Sequence, residues 1–237
     1  MRSFYWRICA TSVIGPGHIA SGLPNQDAWA SWKTHRYGCL AVADGLGSRP
    51  HSDIGSKSVC RAAVAVAQRH VYERRFYALH FVDEVRREWL AAIRPFSSVE
   101  CATTCIVAIW SPRFVRLFQI GDGLAAAIMR DGRVVALTDD KSESFSNLVT
   151  PLSATTAPGE WRMLSVPATR CVGTLLSTDG ISDDLSDMSG FATACVTELA
   201  SGEATVAHWT GMLENWPVPA HSDDKTMAVL ARRRVRK

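Results

Sequence analysis

"CLAVADGLGSRPHSD", from Cys39 to Asp53, opens as an unbroken apolar run and turns on a carboxylate. Cys39, Leu40, Ala41, Val42 and Ala43 read as a buried strand, closed by Asp44 and Gly45. "CVGTLLSTDGISDDL", from Cys171 to Leu185, has the same grammar, with Asp179 and Gly180 following Leu175 and Leu176. A carboxylate at the end of a buried strand is costly to desolvate unless a cation meets it. The two stretches therefore predict strands that end at one shared site, with metal ions as the cations.

Outward from these two, segments 36–43, 102–110, 114–120, 124–129, 133–138, 172–178 and 225–231 read as strands. They are rich in Val, Ile, Leu and Cys and are bounded by Gly, Asp or Pro. Asp131-Gly132 in "MRDGRVV" signals a tight hairpin. Segments 53–74 and 80–94 read as helices. Val59, Ala62, Ala63, Val66 and His70 recur at helical spacing in the first, and Phe81, Val85, Trp89 and Ile93 in the second. Ser52 or Asp53 is the expected N-cap, and His70 is expected as a satisfied core histidine. Segments 187–200 and 203–215 are weaker helix candidates. Strands joined by hairpins, with helices between their groups, give an α+β class: antiparallel sheets with helices packed outside. Residues 139–160, rich in Ser, Thr and Pro, are too long for a plain connector and are expected to form a binding loop or flap.

The chain has 237 residues, 47% hydrophobic and 21% charged, as in an ordinary soluble globular domain. Residues 1–231 read as one domain and 232–237 as a basic tail. The net charge is +3, and the five basic residues Arg232, Arg233, Arg234, Arg236 and Lys237 account for the excess. The body is thus no basic nucleic-acid surface. No apolar run is long enough to span a membrane, and "MRSFYWRICATSV" does not read as a signal peptide. The seven cysteines form no C-x-x-C pair and lie mostly in apolar segments, which suggests buried, reduced thiols and a cytoplasmic location.

Three further acids share the pattern. Asp122 sits in the Gly-Asp-Gly of "FQIGDGLAAA", Asp223 opens the last apolar strand in "HSDDKTMAVL", and Asp27 follows Asn25 and Gln26. Turns favour Asp and Gly, so each alone is weak. Gathered at one rim, they would crowd several carboxylates that do not all stay ionised without cations. An oxygen-only donor set selects hard ions such as Mg²⁺ or Mn²⁺.

"PNQDA", "VADGLGS", "IGDG", "LLSTDGISDDL" and "SDDKTMAVL" follow one another in the order and spacing of the type 2C metal-dependent protein phosphatases. The chain resembles that family, in its short bacterial form, from about Asn25 to Leu230. The resemblance implies a four-layer α-β-β-α sandwich of two stacked antiparallel sheets between helices. It implies two Mn²⁺ or Mg²⁺ ions, with a third, weaker one possible. Asp44 would bridge two ions, with the Gly45 carbonyl on one of them and Asp179 and Asp223 on the other. Asp122, Asp179 and Asp183 would match the ligands of the third, and Asp27 would hydrogen-bond a metal-bound water.

The chain departs from the family at four places. Gly22 stands where an arginine often grips the substrate phosphate; His18, Arg49 and Lys57 are the candidate substitutes. Gln26 replaces an acid, Leu46 stands where some relatives carry a general-acid histidine, and Asp224 stands where Asn is usual. The implied activity is hydrolysis of phosphoserine and phosphothreonine in proteins by a metal-bridged hydroxide, with no cysteine nucleophile. The implied partners are a phosphoprotein and a cognate Ser/Thr kinase, with the enzyme a monomer. A catalytically weak phosphoprotein-binding module of the same fold is the alternative reading.

Overall fold

A computed structural model describes residues 4–73, 75–137 and 150–234. Two five-stranded antiparallel sheets carry the fold. The first is ordered β1 (Phe4–Val13), β10 (Lys225–Arg234), β9 (Cys171–Ser177), β6 (Leu124–Met129), β7 (Val134–Leu137). The second is ordered β2 (Asp27–Lys33), β3 (Gly38–Asp44), β4 (Cys105–Trp110), β5 (Phe114–Ile120), β8 (Arg162–Pro167).

The apolar runs are unbroken because both faces of the central strands are covered. Along β3, Cys39, Ala41 and Ala43 face the helices, while Leu40 and Val42 face the opposite sheet. β4 splits the same way, with Val107 and Ile109 on the helix side and Ile106, Ala108 and Trp110 between the sheets. In the other sheet, Met227, Val229 and Ala231 of β10 point to a separate helix layer, and Ala228 and Leu230 point inward. Three apolar layers between four structural layers give the expected α-β-β-α sandwich.

Helices α2 (Ser52–His70) and α3 (Ala78–Ala92) cover the second sheet; α5 (Met188–Ser201) and α6 (Val206–Glu214) cover the first. The helix-face residues read from the periodicity are buried: Val59, Ala62, Ala63 and Val66 on α2, and Phe81, Val85 and Trp89 on α3. All seven cysteines are buried, unpaired thiols. Among the described residues no helix is long and apolar enough to cross a membrane.

Several expectations need correction. Strands β1, β2 and β8 were not legible, and each lies at the edge of its sheet. Edge strands are wet on one side, so their sequences alternate or carry Ser, Lys and Pro instead of an apolar run. The short helices α1 (Pro16–Ser21) and α4 (Asp179–Ser182) also lacked a periodic signal. The N-cap of α2 is His51, with no side-chain cap bond, and Ser52 is already helical. His70 is not in the core; it ends α2 half-buried between Glu73 and Glu84. Arg232, Arg233 and Arg234 are not tail but the end of β10, opposite Trp6, Tyr5 and Phe4.

Of the expected loop, residues 139–149 lie outside the described residues. Its second part is anchored: Leu152 is buried in the α2–α3 core and bridges Thr103, and residues 158–160 form a 3₁₀ turn.

Trp89 is fully buried, and its Nε1 donates to the Gly55 carbonyl at 3.2 Å, tying α3 to α2. Trp89→Ala removes both the packing and a hydrogen bond. Urea denaturation should show a loss of about 3–5 kcal/mol, whereas a loss below about 1 kcal/mol would mean that the two helices do not depend on this contact.

Candidate metal centre

Strand register gathers the acids at one rim. β10 begins where β9 ends and β6 begins, since Met227 and Leu124 both pair with Ser177. In the other sheet Asp27 pairs directly with Asp44, so β2 starts where β3 ends, and Cys105 pairs with Ile120. Asp44 closes β3, Asp122 lies in the turn from β5 to β6, Asp179 opens α4 after β9, and Asp223 precedes β10. Ligand oxygens of Asp44, Asp122 and Asp179 lie within 4.8 Å of one another.

Surrounding groups, many of them invisible to motif reading, hold these acids and their turn in place. The Asp44 N–H donates to Thr104 Oγ1 at 2.9 Å, and Thr103 Oγ1 donates to the Asp44 carbonyl at 2.8 Å. Thr178 Oγ1 donates to Asp27 Oδ2 at 2.8 Å. The Gly-Asp-Gly turn needs left-handed backbone at Gly121 and Gly123, with φ of +85° and +89°. Gln119 Nε2 binds the carbonyls of Asp122 and Gly123 at 3.0 and 3.1 Å, and Arg162 donates to that of Gly121. Gly45 is required by a close approach, because a Cβ there would lie 2.5 Å from the Ser52 carbonyl oxygen.

The "SDD" pair is divided by geometry. Asp224 is buried, and both its oxygens are engaged: Oδ1 accepts from Gly15 N at 2.6 Å, and Oδ2 from Gln26 N at 2.7 Å. His18 Nδ1 also meets Oδ2 at 2.8 Å. Asp223 is exposed at the rim and close enough to raise the pKa of both Asp44 and Asp179. Asp183 caps α4, its N–H on the Asp179 carbonyl at 2.9 Å, and also acts on Asp179.

The cluster is electrostatically unbalanced by its own residues. Burial, then Asp27, Asp179 and Asp223, raise the Asp44 pKa well above the carboxylate range. Burial and the charges of Asp122 and Asp223 push Asp179 up to about 7. Burial pushes Asp27 up to about 8 against the bond from Thr178, with Asp224 and Asp179 adding to the rise. The one buried lysine behind the rim, Lys225, has its own pKa lowered by burial, against the attraction of Asp184 and Asp223. A desolvated, all-oxygen, mutually repelling donor set fits hard divalent cations.

The candidate phosphate grips fall differently. His18 is tied to Asp224. Lys57 pairs with Asp53 one turn away on α2 at 2.9 Å. Arg49 is exposed in the loop after β3, its N–H on the Leu46 carbonyl. Gly22 caps α1 with φ +66°, a left-handed conformation that strains any side chain, although a Cβ would meet nothing within 4 Å.

The family model described as Protein phosphatase 2C matches residues 14–214. A search of curated protein sequences finds no match. Among solved structures, a bacterial serine phosphatase superposes with a TM-score of 0.70 at 15% identity, covering 96% of this chain and 98% of its own. The Ser/Thr phosphatase Stp1 from Staphylococcus aureus gives 0.68 at 16% identity, covering 98% and 96%. The catalytic domain of the Ser/Thr phosphatase PstP, in complex with two manganese ions, gives 0.65 at 20% identity, covering 97% and 99%. Likeness at these identities establishes the fold.

Two outcomes follow from the rim. Asp27, Asp44 and Asp179 hold protons more tightly when folded than in the unfolded chain, where carboxylates titrate near 3.9–4.3. Their contribution to metal-free stability is therefore full at low pH and is lost as pH rises towards 7–8. Thermal melts in EDTA should show Tm falling over that range, with a shallower slope in Asp44→Asn and with saturating Mn²⁺; a metal-free Tm that climbs with pH would contradict this. Separately, Asp224→Asn leaves at least one of the Gly15 and Gln26 N–H groups facing a donor or nothing. Denaturant titration should register a loss of about 1–3 kcal/mol, and an unchanged midpoint would show that Asp224 is no clamp.

Proposed function

The chain belongs to the protein phosphatase 2C family, and from that premise we propose how its own residues perform the reaction. It is a metal-dependent hydrolase of phosphoserine and phosphothreonine in proteins, using Mn²⁺ or Mg²⁺. The observation that carries the residue assignment is the convergence of Asp44, Asp122 and Asp179 at one rim, with Asp223 beside them.

Asp44 would hold both ions, the Gly45 carbonyl would serve one, and Asp179 and Asp223 would serve the other. Asp122, Asp179 and Asp183 are the ligands proposed for a third. When bound, the ions supply an activated water for attack at phosphorus and positive charge for the phosphoryl oxygens. Asp27 lies across the strand pair from Asp44, held by Thr178, where its carboxylate would orient that water. The high pKa of Asp27 in the metal-free rim reflects burial and neighbouring carboxylates, and the ions reverse the second of these causes. Leu46 offers no proton, so the leaving serine or threonine oxygen would take its proton from solvent or from a metal-bound water.

Substrate positioning rests on Arg49, exposed at the rim loop, and on His18 through its second nitrogen. Lys57 is the weaker candidate, because Asp53 engages it. Residues 139–160, whose second part is pinned to the core by Leu152, provide contacts for the phosphoprotein. The chain acts as one catalytic domain, a monomeric bacterial signalling enzyme of the cytoplasm opposing a Ser/Thr kinase. The alternative, a phosphoprotein-binding module without turnover, is disfavoured by the intact acid set.

Phosphopeptide hydrolysis should require added Mn²⁺ or Mg²⁺, stop with EDTA and survive thiol alkylation. Asp44→Asn, Asp179→Asn and Asp223→Asn should each lower kcat/KM by more than about tenfold with circular dichroism unchanged. Activity retained in Asp223→Asn but lost in a folded Asp224→Asn would reassign the ligand of that pair.

A further inference from the structure

The far end of α2 carries a second group of ligand-type side chains that phosphate hydrolysis does not use. His70 is the last residue of α2, and His80 and Glu84 lie one turn apart on α3. One ligand atom from each lies within 4.8 Å of the other two. His70 Nε2 is 2.5 Å from Glu84 Oε2, and His80 Nε2 is 3.6 Å from the same oxygen. The two imidazoles stand edge to face, with centroids 5.4 Å apart. Eighteen residue steps along α2 put this cluster about 27 Å from Ser52, the end nearest the acid rim.

We propose that His70, His80 and Glu84 bind a divalent ion of the Zn²⁺ class, as three protein ligands with the fourth position left to water. The donor set is the first argument. Two imidazole nitrogens and one carboxylate oxygen suit a borderline ion in tetrahedral geometry, unlike the oxygen-only rim. Tetrahedral bonds of about 2.0–2.1 Å place ligand atoms about 3.3 Å apart. The two distances to Glu84 straddle that value, so small side-chain rotations bring all three atoms into range.

The surroundings are the second argument. His70 Nδ1 meets Glu73 Oε1 at 2.7 Å, which turns Nε2 towards Glu84 and His80. A carboxylate behind a metal-ligating histidine fixes its tautomer and strengthens it as a ligand. Arg69 holds the other oxygen of Glu84 at 2.7 Å and reaches Glu88 at 2.8 Å. Oε2 of Glu84 is thereby left facing the two imidazoles. Among the described residues, the ion pairs around the two imidazoles bring in Glu73, Glu84 and Glu88 against Arg69. An ion held here would clip the end of α2 to α3.

The test uses the full chain, stripped with EDTA and titrated with Co²⁺ and then Zn²⁺, beside His80→Ala and Glu84→Gln. The His80 side chain is 55% exposed, so its removal disturbs no core. The parent should show the intense visible bands of four-coordinate Co²⁺, bleached by Zn²⁺. Both variants should lose the bands and bind one equivalent of Zn²⁺ at least about tenfold more weakly, while Mn²⁺-supported phosphatase activity stays as in the parent. Absence of the bands in the parent, or their persistence in a folded His80→Ala, would overturn the site.

Discussion

Repulsion among carboxylates taken out of water is the constraint around which this molecule is arranged. Asp44, Asp122 and Asp179 bring oxygens within 4.8 Å of one another, and Asp27 and Asp223 add to the charge. Isolated charges in such a place would cost several kcal/mol each, and the protein offers them little of its own: a lysine behind the rim and hydroxyl or backbone donors around it. The rim is stable as an ionised structure only with dications present. The same crowding that destabilises the metal-free rim makes it an oxygen-rich place suited to dications.

The elements that position the rim are fixed in register. Central strands with both faces buried have one register available, since a slip by one residue would exchange the helix-facing and sheet-facing sets. That register fixes Asp44 against Asp27 and sets the start of β10 beside the end of β9. Asp224 adds a long-range clamp, joining the last strand to Gly15, His18 and Gln26. The aspartate at a position where asparagine is usual thus has a partner of its own in His18. The departure at Gly22 has a comparable local cause, a left-handed helix cap.

The central half of the fold was legible because burial on two faces writes itself as a continuous apolar run. Strands β5 and β6 were read to the residue, and the core faces of α2 and α3 were correct. The edge strands β1, β2 and β8 were not, since a half-wet strand shares its composition with loops. The acids of the rim were legible from the strand–Asp–Gly grammar and from the order of the motifs. Their supports were not. Gln119 sits inside an apolar strand, Arg162 is distant in sequence, and Thr104 and Thr178 resemble any buried threonine; only the folded chain brings them to the turn and the carboxylates. His70 was misread for a related reason, because periodicity does not show the Glu73 and Glu84 carboxylates that the fold brings to it.

The most direct test of the central claim is anomalous diffraction at the manganese edge from crystals grown with Mn²⁺. The account predicts two strong peaks about 3.5–4 Å apart, both bonded to Asp44, with Asp179 and Asp223 on one of them. Peaks absent from the rim, or a manganese site there that makes no bond to Asp44, would contradict it.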